Sequence, residues 1–434
     1  MRLHSIAQPG KVVSFAEAVD LGIAEDGSLF MPVKIPHLQD SFFESMGSLT
    51  FPEIAFSVAQ SLLEHEIPDA ELKTIIDESM NFPVPLRRLN EQTSVLELFH
   101  GPTLAFKDFG ARFMARTMAW LHRNDSEELT ILVATSGDTG SAVAHGFHNV
   151  EGMRVFLLFP SGRVSAIQEQ QLTALTGNVT ALEIDGSFDD CQRLIKQAFA
   201  DQGLKRQRKL TSANSINIAR LLPQTFYYFW AVGQVRNIGL PVVISVPSGN
   251  LGNLTAGLIA WKMGSPIKGF IAATNANKVL PQYLESGVFK PAKSVTTISN
   301  AMDVGNPSNL ARIIQLFNGS VDSLRGVVYS RSFSDEETRA CIEETFQADQ
   351  YILDPHGAVG MRALQSYRGK VKTPVHGIVL ETAHPAKFLS AYNEDVRTHI
   401  EMPDRLQASL NGTKHSVKLS AKFEDVRAYL LSMR

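Results

Sequence analysis

Cysteine is nearly absent from this 434-residue chain, which contains only Cys191 and Cys341. Two cysteines in a chain of this length exclude a disulfide framework and favour a reducing compartment. No CxxC pair or Cys/His spacing suggests a metal site, so we predict no metal. No apolar run reaches membrane-spanning length, and the stretch MRLHSIAQPGKVVSFAEAV contains no apolar segment of signal-peptide length. We therefore expect a cytoplasmic protein with no membrane partner.

An excess of either charge is also lacking. Lysine and arginine number 41 against 44 aspartates and glutamates, which leaves a formal net charge of −3. That balance argues against a protein that coats nucleic acid or anionic membrane, and we expect no nucleic-acid partner. Any anion that the protein binds must be held by local groups. The hydrophobic content of 44% is ordinary for a globular protein with a sizeable core.

What the sequence does have, from about residue 90 onward, is continuous apolar runs that alternate with helical patterns. The runs are SVLELF (94–99), LTILVAT (129–135), RVFLLFP (154–160), VTALEI (179–184), PVVISVP (241–247) and HGIVLE (376–381). Such runs indicate parallel strands covered on both faces by helices. We predict an α/β fold with two lobes, each with a mainly parallel sheet, and an N-terminal α/β extension. The expected boundaries are 1–90 for the extension, 91–215 for a smaller lobe and 216–434 for a larger lobe.

The clearest turn after a strand is VPSGNLGNLTAG (246–257). Glycines let the backbone approach a ligand closely, and the N–H groups of residues 249–253 converge where a helix is expected to begin, near Asn253. Such a turn forms an anion cup without a basic side chain. A tight strand-to-helix turn that needs glycine for its geometry is the alternative. The pattern is neither GxGxxG nor a lysine-bearing P-loop, so dinucleotide and triphosphate sites lose support.

Two further strands end in small polar residues. In ATSGDTGSAVA (134–144), hydroxyl and N–H groups are available to a second anion such as a carboxylate, although Ser136, Asp138 or Thr139 also suits a helix cap. In VLETAHPAKF (379–388), Thr382 stands directly after the strand. Its hydroxyl suits an aromatic nitrogen and also suits a helix cap.

One lysine, Lys107, lies in HGPTLAFKDFG (100–110) among glycine, proline and aromatic residues. It either reaches past Phe106 and Phe109 to solvent or lies in a cleft where its amine is nucleophilic. A lysine that forms an imine, a cup that holds a phosphate and a hydroxyl that faces a ring nitrogen are the three groups that pyridoxal 5′-phosphate requires. We therefore predict that cofactor.

With these residues assembled, the chain resembles the threonine synthases of the long bacterial and fungal type. These are fold-type II pyridoxal-phosphate enzymes, similar in fold to the tryptophan synthase β chain. The matching motifs run in order along almost the whole chain: ELFHGPTLAFKDFGARFMA, TSGDTGSAVA, SANSINIARLLPQ, VPSGNLGNLTAG, SNAMDVGNPSN and TAHPAKF.

The resemblance implies that Lys107 binds the cofactor covalently and later moves protons, and that Thr382 faces the pyridine nitrogen. It places the cofactor phosphate in the cup formed by Gly249, Asn250, Leu251, Gly252 and Asn253. Leu251 stands where many relatives have phenylalanine, which matters little if backbone groups bind the phosphate.

The resemblance also implies a substrate-binding group. Ser136, Asp138 and Thr139 are expected to grip the substrate carboxylate, while Asn214 and Asn217 lie in a stretch that lines the cleft in relatives. Many other fold-type II enzymes have asparagine at the position of Asp138, near the phenolic oxygen of the cofactor. A carboxylate there would repel a phenolate unless it is protonated or turned away.

The implied reaction converts O-phospho-L-homoserine and water to L-threonine and phosphate, the last step of threonine biosynthesis. Arg163, in FPSGRVS, is our candidate for the substrate phosphate, helped by Ser161 or Ser165. An exposed turn arginine is the alternative. Rival activities are a phospho-lyase that releases 2-oxobutyrate and ammonia, and a hydroxy-amino-acid dehydratase. A phospho-ligand binding protein is a non-enzymatic rival. We expect a monomer or a homodimer.

Overall fold

The computed structural model describes residues 1–135 and 137–433. Its first 80 residues form the N-terminal extension, which begins with a small antiparallel sheet of order β2-β1-β3. A capping box formed by Thr50 and Glu53 starts its longest helix, whose apolar face is buried. The elements are β1 (Arg2–Ser5), β2 (Val12–Ser14), α1 (Phe15–Leu21), β3 (Phe30–Pro32), α2 (Asp40–Ser45), α3 (Phe51–Leu63) and α4 (Asp69–Ser79).

The next part of the chain alternates strands and helices. Its elements are β4 (Leu86–Arg88), β5 (Thr93–Glu97), α5 (Lys107–Leu121), β6 (Leu129–Ala134), α6 (Asp138–Phe147), β7 (Met153–Pro160), α7 (Ala166–Thr173), β8 (Val179–Asp185), α8 (Phe188–Ala200), α9 (Gln202–Lys205), β9 (Lys209–Ser212), α10 (Ile218–Leu221), a 3₁₀ turn (Leu222–Thr225) and α11 (Phe226–Val235).

The rest of the chain continues the alternation. It contains β10 (Val242–Pro247), α12 (Gly252–Lys262), β11 (Ile267–Thr274), α13 (Val279–Ser286), a 3₁₀ turn (Asn300–Met302), α14 (Leu310–Leu316), α15 (Val321–Arg325), β12 (Val328–Ser332), α16 (Asp335–Asp349), α17 (Pro355–Arg368), β13 (His376–Glu381), a 3₁₀ segment (Pro385–Ala391), α18 (Glu394–Thr398), α19 (Asp404–Leu410), β14 (Val417–Ser420) and α20 (Phe423–Ser432).

Two larger sheets organise the body. One has six strands in the order β12-β11-β10-β13-β5-β4, and the other has five in the order β14-β8-β7-β6-β9. Their pairings are parallel except for β4 with β5. Strands β6, β10 and β13 are buried along their whole length, because helices cover both faces. The predicted α/β fold with two parallel sheets is confirmed.

Core packing makes these strands costly to alter. Ile244, in the middle of β10, is completely buried. Truncation of such a side chain to alanine is expected to lower the free energy of unfolding by about 2–5 kcal/mol. The strand that carries the glycine turn is therefore rigidly held.

Sheet membership differs in three places from the expected division at residues 91 and 216, and the first is β4, expected in the extension, which pairs with β5 in the six-stranded sheet. Strand β5, expected in the smaller lobe, pairs with β13 in the six-stranded sheet, so the lysine segment that follows it leaves the larger sheet. Strand β14, expected in the larger lobe, pairs with β8 in the five-stranded sheet. The last two differences arise because the paired strands are far apart along the chain, where sequence pattern does not reveal the partner.

Two predictions from composition concern cysteines and membranes. Cys191 and Cys341 are free and buried. Within the part of the chain that the structure describes, no helix combines the length and the apolar character needed to cross a membrane.

Candidate active site

Three adjacent strands of the six-stranded sheet deliver the predicted cofactor residues. In the order β10-β13-β5, the glycine turn follows β10, Thr382 follows β13, and residues 98–106 lead from β5 to Lys107. Since parallel strands have their carboxyl ends at one edge, the three groups share that edge. The sheet order therefore brings together residues that lie up to 275 positions apart in sequence, from 107 to 382.

The segment before Lys107 is held against the segment after β13. The Phe106 N–H donates to the Thr382 carbonyl at 2.9 Å, and the His384 N–H donates to the Leu104 carbonyl at 3.1 Å. Ala105 and Ala383 form an isolated antiparallel bridge between these two segments. The lysine and the threonine are therefore fixed relative to each other by backbone hydrogen bonds.

Contacts with Asp108 account for several residues of the HGPTLAFKD motif. Its carboxylate accepts the Thr103 N–H at 2.9 Å and the Thr103 hydroxyl at 2.8 Å. A side chain at Gly101 would collide with Asp108, because a Cβ there would lie 2.7 Å from the Asp108 Cβ. Burial raises the pKa of Asp108 to about 6, against the Thr103 hydrogen bonds that lower it. The closed turn sets Lys107 as the first residue of α5.

The environment of Lys107 makes its amine more available for chemistry. Burial is the main cause that lowers its pKa from 10.5 to about 8, and the cations of Lys387 and Arg220 add to the effect while Asp138 opposes it. Part of the side chain is still accessible to solvent. At neutral pH a pKa near 8 leaves about a tenth of the amine uncharged, compared with less than about one part in a thousand at 10.5.

Phe109 belongs to the hydrophobic core. It is fully buried, and its ring packs edge-on against Phe82 at 4.9 Å and Tyr227 at 5.4 Å. Phe109 thus anchors α5 to the hydrophobic core. It lies two positions after Lys107 in the helix, so its side chain is on a different face from that of Lys107. Phe106 is half-buried.

The glycine turn presents an unusual row of donors. The backbone N–H groups of residues 249–253 have no acceptor among the described residues. Leu251 adopts a left-handed conformation with φ of 61°, and α12 begins directly after it at Gly252. A Cβ at Gly249 would lie 2.6 Å from the Met302 Cα, so only glycine fits there. Unpaired N–H groups at a helix start are suited to a phosphate.

Asparagine side chains shape this turn from behind. Asn250 donates to the Ser215 hydroxyl at 2.8 Å and accepts the Ser308 N–H at 2.7 Å. Asn253 accepts the Ser248 hydroxyl at 2.6 Å. Because these side chains bond to protein, the backbone groups stay available for a ligand, and the residues fit the phosphate of pyridoxal 5′-phosphate.

Thr382 is buried, and its hydroxyl makes no hydrogen bond with any described residue. The helix cap that we considered for it belongs instead to His384, whose side chain accepts the Ala386 N–H at 3.1 Å. The free hydroxyl beside the lysine fits the ring nitrogen of the same cofactor.

The start of α6 is only partly as expected. Ser136 lies outside the described residues. The N–H groups of Gly137 and Gly140 donate to the Thr135 hydroxyl at 3.1 and 2.8 Å, so these two groups are not available to an anion. Thr139 is half-buried in the first turn, where helical N–H groups lack backbone acceptors.

Asp138 is paired with a lysine that the sequence did not single out. The Lys387 ammonium lies 2.6 Å from Asp138 Oδ1, and both side chains are buried. Gln168 also donates to this oxygen at 3.1 Å, and Lys387 donates to the Thr103 carbonyl at 3.0 Å. Although burial alone would raise the pKa of Asp138, Lys387 and then Lys107 hold it below its usual range. The carboxylate therefore stays ionised with its charge balanced by Lys387.

The two asparagines of SANSINIARLLPQ are engaged in the fold. Asn217 is fully buried, donates to the Val19 carbonyl at 2.9 Å and caps α10 through the Ala219 N–H at 3.0 Å. Its contacts therefore contradict the expected place in the substrate pocket, since its amide is already satisfied. Asn214 donates to the Ala134 carbonyl at 2.9 Å, which ties the segment after β9 to the last residue of β6.

The phosphate candidate, Arg163, is exposed on the turn after β7 and makes no side-chain hydrogen bond or ion pair with the described residues. Its expected helpers are occupied elsewhere. The Ser161 hydroxyl donates to Glu183 at 2.6 Å, and the Ser165 side chain caps α7. Neither serine keeps the role that we expected. Among the described residues, no cluster of histidine, cysteine and carboxylate side chains is arranged to hold a metal ion.

Comparison with known proteins matches this geometry. Residues 81–380 match the family model of pyridoxal-phosphate dependent enzymes, residues 5–80 that of the threonine synthase N terminus, and residues 357–430 that of the threonine synthase C-terminal part. The chain is 43% identical to the threonine synthase of Haemophilus influenzae, with 99% of this chain and 100% of that protein covered.

Two solved structures resemble the whole fold. The threonine synthase of Escherichia coli matches with a TM-score of 0.91 and 40% identity, covering 100% of both chains. The threonine synthase of Brucella melitensis, solved with bound pyridoxal phosphate, matches with a TM-score of 0.92 and 33% identity over 99% of this chain and 98% of that one. These matches span the extension, both parallel sheets and the site, and the chain belongs to the threonine synthase family.

Proposed function

We propose that this enzyme converts O-phospho-L-homoserine and water to L-threonine and phosphate with Lys107, the 249–253 cup and Thr382 as its cofactor site. The observation that carries the proposal is the attachment of the lysine segment to the strand end that bears Thr382, next to the cup on β10. Family membership establishes a pyridoxal-phosphate-dependent threonine synthase. The assignment of roles to individual residues is our own.

Three groups would hold the cofactor. The backbone N–H groups of Gly249 to Asn253 would hold its phosphate, Lys107 would attach it covalently, and the Thr382 hydroxyl would face its ring nitrogen. A hydroxyl leaves that nitrogen unprotonated, whereas a carboxylate would protonate it. When bound, pyridoxal 5′-phosphate withdraws electrons from the α-carbon of an attached amino acid, which acidifies the hydrogens at its α- and β-carbons.

Lys107 is the base and acid of the reaction. As a neutral amine its Nζ would take the proton from the α-carbon, release it to solvent, and then take one from the β-carbon, while phosphate leaves from the γ-carbon. That second proton would go to the γ-carbon, and water would give its hydroxyl to the β-carbon and, through Nζ, its proton to the α-carbon. The departing phosphate would take up the proton that was released to solvent. The lowered pKa of about 8 suits this exchange, because both protonation states are populated near neutral pH.

Substrate anions require their own donors. The first turn of α6, with Thr139, is our proposed site for the carboxylate, and Asp138 orients that turn through Lys387. Ser136 retains its proposed place beside them on the resemblance alone. Arg163 is our proposed ligand for the substrate phosphate. Its guanidinium makes no ion pair with the described residues, so it is free to reach a ligand.

Product analysis tests the proposal. The purified enzyme, loaded with pyridoxal 5′-phosphate, is incubated with O-phospho-L-homoserine, and the carbon products are identified by NMR while phosphate is measured. Threonine and phosphate in equal amounts are expected. Formation of 2-oxobutyrate and ammonia would instead assign the enzyme to the phospho-lyases. An unphosphorylated hydroxy amino acid as the preferred substrate would favour the dehydratase activity.

Location and assembly are also part of the proposal. The two free, buried cysteines support a cytoplasmic enzyme, since they form no disulfide. We propose a monomer or homodimer that acts on a small molecule, which light scattering coupled to gel filtration tests directly.

A further inference from the structure

A buried pair of carboxyl groups lies behind Thr382. Glu381 is the last residue of β13, and Asp354 stands directly before α17. Both side chains are completely excluded from solvent. Buried carboxyl groups are costly unless they are ionised with full hydrogen bonding or protonated, so their partners decide their state.

Asp354 has the partners of an anion. Its Oδ1 accepts the His356 N–H at 2.7 Å and also a bond from the His356 imidazole. Its Oδ2 accepts the Thr382 and Ala383 N–H groups at 3.2 Å each. Although burial alone would raise the pKa of Asp354, the histidine and its hydrogen bonds hold it low. Through these bonds Asp354 fixes the backbone that carries the Thr382 hydroxyl.

Glu381 has the partners of a neutral acid. Its Oε2 accepts the Asp354 N–H at 3.0 Å, whereas its Oε1 has no hydrogen-bond partner among the described residues. A Cβ at Gly357 would overlap this Oε1, so the glycine leaves room for the carboxyl group. No lysine or arginine forms an ion pair with Glu381 within the described chain. Burial and then the negative charge of Asp354 raise its pKa well above the usual value.

Further charged and titratable groups surround the pair. Glu97, the partner of Glu381 on β5, bonds to His100 at 2.6 Å and accepts the Tyr351 hydroxyl at 3.0 Å. Arg87 reaches Glu97 at 3.6 Å, and Tyr392 lies beside Asp354 and Glu381 with its hydroxyl on a backbone carbonyl. The cation of Arg87 therefore faces Glu97, and none of the described residues forms an ion pair with Glu381.

We propose that the carboxylate of Asp354 and a protonated, neutral Glu381 form a positioning device behind Thr382, which holds the Thr382 hydroxyl against the cofactor ring nitrogen. Asp354 is its anionic centre, and Glu381 is its neutral member, which accepts the Asp354 N–H. The inference rests on the proposed function, because the ring nitrogen is the assumed partner of Thr382.

The same hydrogen bonds extend to the phosphate cup. His356 Nε2 accepts the Ala301 N–H at 3.3 Å, and the next residue, Met302, packs on Gly249. The pair thus connects the supports of the two ends of the cofactor. Loss of Asp354 is therefore expected to weaken cofactor binding as a whole, although Asp354 itself does not touch the cofactor.

Two isosteric variants separate the two roles. Glu381→Gln keeps a neutral donor and an acceptor for the Asp354 N–H, so its affinity for pyridoxal 5′-phosphate is expected to stay within about twofold of wild type. Asp354→Asn loses the charge and one of two acceptor oxygens, each of which serves two donors, so a loss of at least about tenfold is expected. Affinity is measured by fluorescence titration of the apo-protein with the cofactor. Equal losses in both variants, or none in Asp354→Asn, would overturn the positioning role.

The proton on Glu381 has its own readout in the cofactor-free protein. A carboxyl whose pKa is raised by folding binds its proton more tightly in the folded state, so it destabilises the fold increasingly as pH rises above the unfolded value of about 4.3. Glu381→Gln removes this effect. Urea unfolding from pH 5 to 8 is expected to show that the stability of the variant relative to wild type increases with pH. The ratio of the two unfolding constants is expected to change by up to about tenfold per pH unit. A pH-independent difference would overturn the assignment of the proton to Glu381.

The readouts keep the two proposals distinct. If wild-type protein binds the cofactor but makes no threonine, the proposed reaction fails while the positioning test stands. If Asp354→Asn does not fold, His356→Gln replaces it, since it removes one donor to Asp354 and is expected to weaken cofactor affinity by a smaller factor of about three. Unchanged affinity in His356→Gln would count against the positioning role.

Discussion

Breaking the buried Asp138–Lys387 ion pair from either side is expected to destabilise the enzyme strongly, and replacing both partners together is expected to cost less than the sum of the two single replacements. Lys387→Met leaves the Asp138 carboxylate without its counter-ion, and Asp138→Asn leaves the Lys387 ammonium unpaired. The Lys387 side chain is 0% exposed and the Asp138 side chain 3% exposed, so water cannot replace a missing partner. The double variant carries neither buried charge.

The magnitude follows from the geometry. At 2.6 Å the gross attraction is about 6 kcal/mol with an effective dielectric constant of about 20. Desolvation offsets much of this, and removal of one partner of such a pair typically costs about 3–5 kcal/mol. The double variant is expected to lose less than the sum of the single losses, with a coupling free energy of about 2–3 kcal/mol.

Urea unfolding of the four apo-proteins, wild type included, measures this cycle. Single losses that add within about 0.5 kcal/mol would refute the reasoning, because they would mean that the two charges do not depend on each other. A second readout is the pH at which apo-protein forms an imine with added cofactor. Lys387 lowers and Asp138 raises the pKa of Lys107, so Lys387→Met is expected to move this midpoint upward and Asp138→Asn downward.

Three other predictions follow from the structure. Gly249→Ala is expected to weaken cofactor affinity at least about tenfold, because its Cβ would lie 2.6 Å from the Met302 Cα. Gly252→Ala is the matched control, since its Cβ would have its nearest neighbour at 3.6 Å, and it should bind the cofactor nearly as well as wild type. Arg163→Ala is expected to weaken substrate binding by about 10- to 100-fold while cofactor affinity stays unchanged, and unaltered kinetics would remove Arg163 from the site. The hydrogen bond to Asp20 is the main cause that raises the pKa of His122. Protonated His122 therefore stabilises the folded protein fully below pH about 6.5, and this stabilisation is lost as the pH rises through the pKa of His122 in the folded state. His122→Gln should remove that pH dependence from the unfolding free energy, and an unchanged slope would contradict the role of the pair.

The strands that carry the site could be predicted because each is a short, continuous apolar run. The runs at 241–247 and 376–381 differ by at most one residue from the strands Val242–Pro247 and His376–Glu381. The predicted fold, cofactor and family are confirmed. They could be predicted because the backbone turns at the strand ends require particular residues at fixed spacing, which makes the motifs recognisable. The roles of the individual site residues stay predictions.

What the sequence did not reveal depends on distant partners. Lys387 lay in a quoted motif, TAHPAKF, but its partner Asp138 is 249 residues away, so spacing could not pair them. Asn217 lay in another motif and turned inward, because its amide caps a helix and bonds to the N-terminal extension. Glu381 offered a signal that was missed, since a carboxyl residue at the end of an otherwise apolar, fully buried strand requires a reason.

The most direct test of the site is to locate the covalent bond to the cofactor. Borohydride reduction of the cofactor-loaded enzyme, followed by proteolysis and mass spectrometry, identifies the lysine that carries pyridoxal 5′-phosphate. The account predicts modification of Lys107, lost in Lys107→Ala. Modification of the neighbouring buried Lys387, or of a lysine elsewhere, would contradict the assignment of this edge of the sheet as the active site.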